Sequence, residues 1–264
     1  MHLCDMLRFT KWEGTGNDFI LINDRDGSFP SQDLSLVRRM CDRHFGVGSD
    51  GLILVQATRK AGTDFHMEFF NPDGSKSFCG NGSRCAYAFW CVIAGRTELA
   101  RFTAIDGMHS AEWQDGLVRV SMRDIAAIEH IDEHTDRIFT GSPHLLVWVD
   151  DPERIHLVTE ARALRYNAHY EKEGINVNFV RWHNGYLEMR TYERGVEAET
   201  LSCGTGVTAA ALSAMHRGSA QPSCDVVTRG GHLRVEAERT EQGGYTHVHL
   251  SGPVRETFTG TFHL

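Results

Sequence analysis

The sequence has no uninterrupted apolar stretch of the roughly 18 residues that a membrane-spanning helix needs, so no membrane span is expected. Met1 to Thr10 mixes polar and apolar residues and has no apolar core like that of a secretory signal, which leads to the expectation of a cytoplasmic protein. No Cys-x-x-Cys pair occurs, so a structural zinc site is not expected. The seven cysteines (Cys4, Cys41, Cys79, Cys85, Cys91, Cys203, Cys224) are odd in number and scattered, which fits no disulfide framework. They read as thiols in a reducing compartment. Basic excess is also missing: 27 Lys and Arg stand against 35 Asp and Glu, a net charge of −8, which leaves no footprint for nucleic acid. What remains is a chain of 264 residues, 41% hydrophobic and 23% charged, too apolar for disorder and long enough for one large core or two smaller ones.

The chain repeats itself. Gly16-Asn17-Asp18-Phe19-Ile20-Leu21-Ile22 is similar in pattern to Gly141-Ser142-Pro143-His144-Leu145-Leu146-Val147, a small-residue turn followed by a β-prone apolar run. Gly48 to Val55 pairs with Gly174 to Val180, and Cys79-Gly80-Asn81-Gly82 with Cys203-Gly204-Thr205-Gly206. Measured from Asn17, Gly48 and Cys79, the offsets are 125, 126 and 124 residues. Three matches in one order at a nearly constant offset read as two related halves. Alternating runs predict strands over 64–70, 101–104, 117–122, 186–192, 225–228, 233–237 and 245–250. Helices are predicted over Ser83 to Ala94, stopped by Gly95, and Val207 to Arg217, stopped by Gly218. Both are apolar on most sides and therefore buried. A third, amphipathic helix near Ser31 to Arg43 is expected on the outside. The expected fold is α/β of the α+β type: two pseudo-symmetric domains, each a mostly antiparallel sheet or barrel wrapped around a central helix. The domains are 1–120, which 255–264 could complete, and 121–254, with no linker between them.

Each repeated cysteine stands where its helix begins. A helix start offers uncommitted N–H groups and a partial positive charge, which favour a thiolate and a docked carboxylate. Two such starts facing one another across a cleft suit inversion at a carbon next to a carboxylate. One thiolate takes the α-proton from one face, and the other thiol delivers a proton to the opposite face. Asn17, Asn71, Asn81 and Asn176 lie in turns or beside helix starts, where asparagine also serves plain structural ends. Glu193-Arg194 closes a strand ten residues before Cys203, and His144 follows Pro143.

Gly14-Thr15-Gly16-Asn17-Asp18-Phe19, Phe70-Asn71-Pro72-Asp73-Gly74-Ser75 leading to Cys79-Gly80-Asn81-Gly82-Ser83-Arg84-Cys85, and Tyr192-Glu193-Arg194-Gly195 leading to Cys203-Gly204-Thr205-Gly206 closely resemble diaminopimelate epimerases. The resemblance runs through nearly the whole chain. It implies a pair of similar α/β domains, conversion of LL- to meso-diaminopimelate for lysine and peptidoglycan biosynthesis, a homodimer, and no pyridoxal phosphate, metal or nucleotide. By the same resemblance Cys79 and Cys203 are the acid/base thiols, and His144 and Glu193 tune them. Asn17, Asn71, Asn176, Glu193 and Arg194 bind substrate, while Gly80-Asn81 and Gly204-Thr205 cradle the reacting carboxylate. This chain has Ser142 where the family often has Asn, Gly51 where it often has Gln, and one extra residue near Glu197-Ala198. Three other readings stay open: a two-cysteine racemase of another amino acid, a hydrolase using Cys203 with His144 and Glu193, and a non-enzymatic small-molecule binding module. The hydrolase explains neither Cys79 nor the repeat, and the binding module does not require both thiols.

Overall fold

The computed structural model describes residues 6–220 and 222–264; Cys4 lies outside them. The chain divides into two compact units, Met1–Val120 with Pro253–Leu264, and Ser121–Gly252. The first unit runs β1 (Met6–Gly14), β2 (Asn17–Asp24), α1 (Leu34–Cys41), β3 (Gly51–Gln56), β4 (Phe65–Phe70), α2 (Gly80–Ala94), β5 (Ala100–Ala104), β6 (Gly107–Gln114) and β7 (Leu117–Ser121). The second runs β8 (Glu129–Asp132), β9 (Thr135–Phe139), β10 (Pro143–Trp148), α3 (Leu157–Arg165), β11 (Asn176–His183), β12 (Tyr186–Glu193), β13 (Ala198–Thr200), α4 (Gly204–His216), β14 (Ser223–Thr228), β15 (Gly231–Arg239) and β16 (Tyr245–Gly252). β17 (Arg255–His263) then returns to the first unit and pairs antiparallel with β1.

Taken separately, the two units have the same topology. In the first, β2 and β3 are parallel, as are β4 and β5, while β1–β2, β3–β4, β5–β6 and β6–β7 are antiparallel. In the second, β10–β11 and β12–β14 are the parallel pairs, and β9–β10, β11–β12, β14–β15 and β15–β16 are antiparallel. The parallel pairs require crossovers, and each crossover carries a helix. Equivalent elements begin at Asn17 and Pro143, Gly51 and Asn176, Gly80 and Gly204, and Gly107 and Gly231, offsets of 126, 125, 124 and 124 residues. The sequence repeat is therefore a repeat of fold.

Each sheet is covered on both faces. α1 lays Leu36, Val37, Met40 and Cys41 on Ile20, Ile22, Leu52, Leu54 and Phe70. α3 does the same with Leu157 and Ala161 against Leu145, Val177 and Phe179. The alternate residue Ile53 points the other way, and its Cδ1 lies against Gly82 of α2. Burial on both faces is why β2 and β3 read as continuous apolar runs and not as alternating ones. α2 is buried from Gly80 to Cys91 and α4 from Gly204 to Met215, as expected of helices apolar all round. α4 touches β9 to β12 and β14 to β16, so its sheet bends around it. Gly95, at φ +66°, stops α2 in the left-handed conformation, and its N–H bonds Cys91 C=O. α1 is shorter than its pattern predicts. Asp33 accepts the Ser35 and Leu36 N–H groups and fixes the start at Leu34. Asp42 takes the His44 and Phe45 N–H groups, both at 2.7 Å, and turns the chain away. Among the described residues no helix is long and apolar enough to cross a membrane.

Candidate active site

Cys79 caps α2 with φ −132° and ψ 110°, and Cys203 caps α4 with φ −118° and ψ 109°. Both are extended residues whose carbonyls accept the first helical bond, from Ser83 N–H and Val207 N–H, each at 2.8 Å. Gly80 and Asn81, like Gly204 and Thr205, thus place their amides ahead of that first bond, in the turn that attracts anions.

In the first unit Cys79 Sγ accepts Gly82 N–H at 3.3 Å and lies 3.9 Å from Asn17 Oδ1. Asn81 Nδ2 reaches the same Asn17 oxygen at 3.5 Å. Asn17 is oriented from behind: its Nδ2 donates to Asp50 Oδ2 at 2.6 Å, and Asp50 accepts Arg43 at 2.7 Å. Burial, joined by the charge of Asp18, pushes the Asp50 carboxyl upward. Arg84, a member of the first cysteine motif, is fully buried, donating to Asn81 Oδ1 at 2.8 Å and to Thr15 Oγ1 at 3.0 Å. Both acceptors are neutral, and the Nε–H has no partner. Burial lowers its pKa to about 10, so it stays cationic at neutral pH, and its charge acts on Cys85, Cys79 and Glu13. Asn71 spends its amide within its own turn, on Ser75 Oγ at 3.0 Å and Ser77 Oγ at 3.2 Å.

In the second unit Cys203 is 7% exposed, and its Sγ lies 3.5 Å from Thr205 Oγ1. Thr205 Oγ1 lies 2.9 Å from His144 Nε2, and Thr140 Oγ1 donates to Thr205 C=O at 2.8 Å. His144 is fully buried, and desolvation, helped by the Arg194 charge, lowers its pKa to about 3. The imidazole is therefore neutral and stands one hydroxyl away from the sulfur, unlike the directly bonded dyad of a cysteine hydrolase. Asn178 Nδ2 lies 3.2 Å from His144 Nδ1 and donates to Leu145 C=O at 3.1 Å, while Asn178 Oδ1 accepts Thr191 O–H at 3.0 Å. Asn176 Nδ2 donates to Ser142 Oγ at 3.0 Å and Pro143 C=O at 3.2 Å, and its Oδ1 accepts the Arg194 N–H at 2.8 Å. The Arg194 side chain is exposed and donates to Glu173 C=O at 2.9 Å. Glu193 Oε2 accepts Thr200 O–H at 2.9 Å.

The positions that depart from the family pattern have local reasons. A Cβ on Gly51 would lie 2.3 Å from the Phe69 ring and 2.9 Å from Phe70 C=O, so only glycine fits. Ser142 serves as the hydrogen-bond acceptor for Asn176. Glu197, in the lengthened loop, has φ +56° and is held by O–H donors from Tyr166 (2.8 Å) and Tyr192 (3.1 Å). The sequence reasoning missed Arg84, Thr15 and Asn178. The only signal for Asn178 was its spacing of two from Asn176, which puts both amides on one face of β11.

The family model for diaminopimelate epimerase matches residues 9–120 and 138–255. A diaminopimelate epimerase of Flavobacterium psychrophilum is 38% identical over 261 residues, 97% of this chain and 100% of that protein. One of Aquifex aeolicus is 38% identical over 275 residues, 96% of this chain and 97% of that protein. Among solved structures, a hydroxyproline epimerase of Agrobacterium vitis has the same fold, with TM-score 0.72 at 15% identity over 100% of this chain and 94% of that one. Sequence and fold thus agree, and this chain belongs to the diaminopimelate epimerase family.

Proposed function

We propose that this chain interconverts LL- and meso-diaminopimelate by inverting one α-carbon, with Cys79 and Cys203 as its two acid/base groups. One observation carries the reading: in a member of this family, two cysteines cap two topologically equivalent buried helices with nearly the same backbone angles. One thiolate removes the α-proton, and the other thiol returns a proton to the opposite face. The roles exchange in the reverse direction. The electron pair left on carbon spreads into the neighbouring carboxylate, where the first-turn amides of Gly80, Asn81, Gly204 and Thr205 meet it. Losing one such preorganised donor costs an enzyme about 10²–10³-fold in rate. Arg84 adds a buried positive charge on the Cys79 side, held by two neutral hydrogen-bond acceptors.

Asn17, Asn71, Asn176, Glu193 and the exposed Arg194 are assigned to the substrate, whose second amine and carboxylate need fixed partners of opposite character. His144 and Glu193 are assigned to tuning the thiols, and the neutral imidazole does so through the Thr205 hydroxyl, since it cannot supply a positive charge. The chemistry calls for no cofactor or metal. The enzyme is placed in the cytoplasm, in lysine and peptidoglycan biosynthesis, as a homodimer with neither nucleic acid nor membrane as partner. The test is incubation with LL-diaminopimelate and coupled detection of the meso form. Conversion abolished by thiol alkylation is expected. No conversion by folded, reduced protein, or conversion of a different amino acid only, overturns the substrate assignment.

A further inference from the structure

Three facts fix where the imidazole proton of His144 resides. Asn178 Nδ2 donates to a backbone carbonyl, Leu145 C=O at 3.1 Å, and Asn178 Oδ1 accepts Thr191 O–H at 3.0 Å, so its amide cannot be turned over. The amide edge facing His144 Nδ1 at 3.2 Å is therefore an N–H, and Nδ1 must be the accepting nitrogen. The ring is neutral, so its single proton is on Nε2. The other neighbour of Nε2, Asn176 Nδ2 at 3.5 Å, has its two hydrogens committed to Ser142 Oγ and Pro143 C=O. The Nε2–H consequently donates to Thr205 Oγ1 at 2.9 Å. With that lone pair occupied, the Thr205 O–H points at its remaining neighbour, Cys203 Sγ at 3.5 Å.

We propose that Asn178 and His144 are positioning residues that hold the Thr205 hydroxyl as a donor to the Cys203 sulfur, so that Thr205 stabilises the thiolate with its side chain. This rests on the reading of Cys203 as an acid/base thiol, and it goes further by naming a one-way chain, Asn178 to His144 to Thr205 to Cys203. Directionality is what distinguishes it from packing. In the opposite tautomer Nε2 would accept the Thr205 proton, and the Thr205 hydroxyl would no longer donate to the sulfur. The fold makes room for this chain at one residue: a Cβ on Gly206 would stand 2.8 Å from Asn178 Oδ1 and 3.3 Å from His144 Cε1. Arg194 is the charged group that acts on His144, and it supplies no donor in the chain.

The test needs no substrate, so its failure is separate from failure of the epimerase reading. Long-range ¹H–¹⁵N correlation spectra of the reduced protein, with His144 assigned by difference from His144→Gln, should show the Nε2–H tautomer at neutral pH. Iodoacetamide labelling of Cys203, followed by peptide mass spectrometry against pH, should then shift to higher pH in Thr205→Val. At neutral pH it should slow roughly tenfold to a hundredfold, the scale of one hydrogen bond to a charged group. Thr205→Ser, which keeps the hydroxyl, should label within about threefold of the parent by the same reasoning. Asn178→Leu should release the tautomer lock, giving mixed His144 signals and slower Cys203 labelling. Cys79 labelling serves as the internal reference in every variant. An Nδ1–H tautomer in the parent protein, or a Thr205→Val profile that overlays that of Thr205→Ser, overturns the proposal.

Discussion

Gly82 and Gly206 hold equivalent places, the third residue of α2 and of α4, yet alanine should affect them differently. At Gly82 the new Cβ meets Ile53 Cδ1 at 3.1 Å and Cys79 Sγ at 3.4 Å. The tighter neighbour is the end of a flexible side chain and can yield. At Gly206 the Cβ meets Asn178 Oδ1 at 2.8 Å, and that oxygen is pinned by Thr191 while its amide is pinned by Leu145 C=O. Alanine gains up to about 1 kcal/mol over glycine in a helix, while overpacking costs about 1–3 kcal/mol. Gly82→Ala should therefore unfold at a urea concentration equal to or above that of the parent. Gly206→Ala should be less stable than Gly82→Ala by about 1–3 kcal/mol. Its epimerisation rate should fall by roughly 10²-fold, because a displaced Asn178 moves His144 and Thr205 away from Cys203. The assays are urea unfolding and the coupled epimerisation rate for both variants. Equal stability and equal activity of the two would refute the close packing of Asn178 under the start of α4.

Two further outcomes follow from the same geometry. His144 is buried neutral, with its pKa lowered from 6.5 to about 3. Between those values the unfolded chain binds a proton that the folded one does not, so stability is full above about pH 6.5 and falls as pH drops toward 3. The ceiling on this loss is about 5 kcal/mol, because each tenfold difference in proton affinity between the folded and unfolded chain corresponds to about 1.36 kcal/mol. Asp136, held ionised by Arg217, Ser213 and His130 against the cost of its burial, loses stability in acid too. The check is therefore the difference in acid slope between the parent and His144→Gln, which should be shallower; parallel slopes contradict the buried neutral ring. Gly51→Gln should destabilise by forcing Phe69 aside. Adding Phe69→Ala should recover part of the loss in a double-mutant cycle, and strictly additive effects would contradict the clash.

The fold was legible where the local pattern and the tertiary context agreed. The constant offset between the Cys-Gly-x-Gly segments, the two glycine stops and the apolar character of α2 and α4 were enough to read two halves around two buried helices. β1 was not legible, because it buries Lys11, whose ammonium is paired with Asp18 at 2.6 Å, and so breaks the apolar alternation that marks a strand. β8 is exposed along its whole length and carries no apolar face to signal it. α3 lacked a start signal, since His156 caps it without a side-chain bond. At the site, residue type and spacing pointed to the thiols and the first-turn glycines. The roles of Arg84 and Asn178 depend on what lies across the fold from them: two neutral acceptors for one, a carbonyl and a hydroxyl that fix an amide for the other. Such facts of tertiary packing leave no trace in periodicity or composition.

The division of labour between the two thiols is tested most directly with a β-halogenated analogue of the substrate, assayed as both α-stereoisomers with Cys79→Ser and Cys203→Ser. Elimination needs a single base: the α-proton is removed, the carbon–carbon double bond forms and halide leaves, with no reprotonation of the opposite face. Each serine variant should lose epimerisation, because a hydroxyl is a far weaker acid than a thiol of pKa about 8.5, and an acid/base partner contributes about 10²–10⁴-fold. Each should still eliminate halide, and the two should prefer opposite α-configurations. Elimination from the same isomer by both variants, with equal ease, would show that the two cysteines do not work on opposite faces of one carbon.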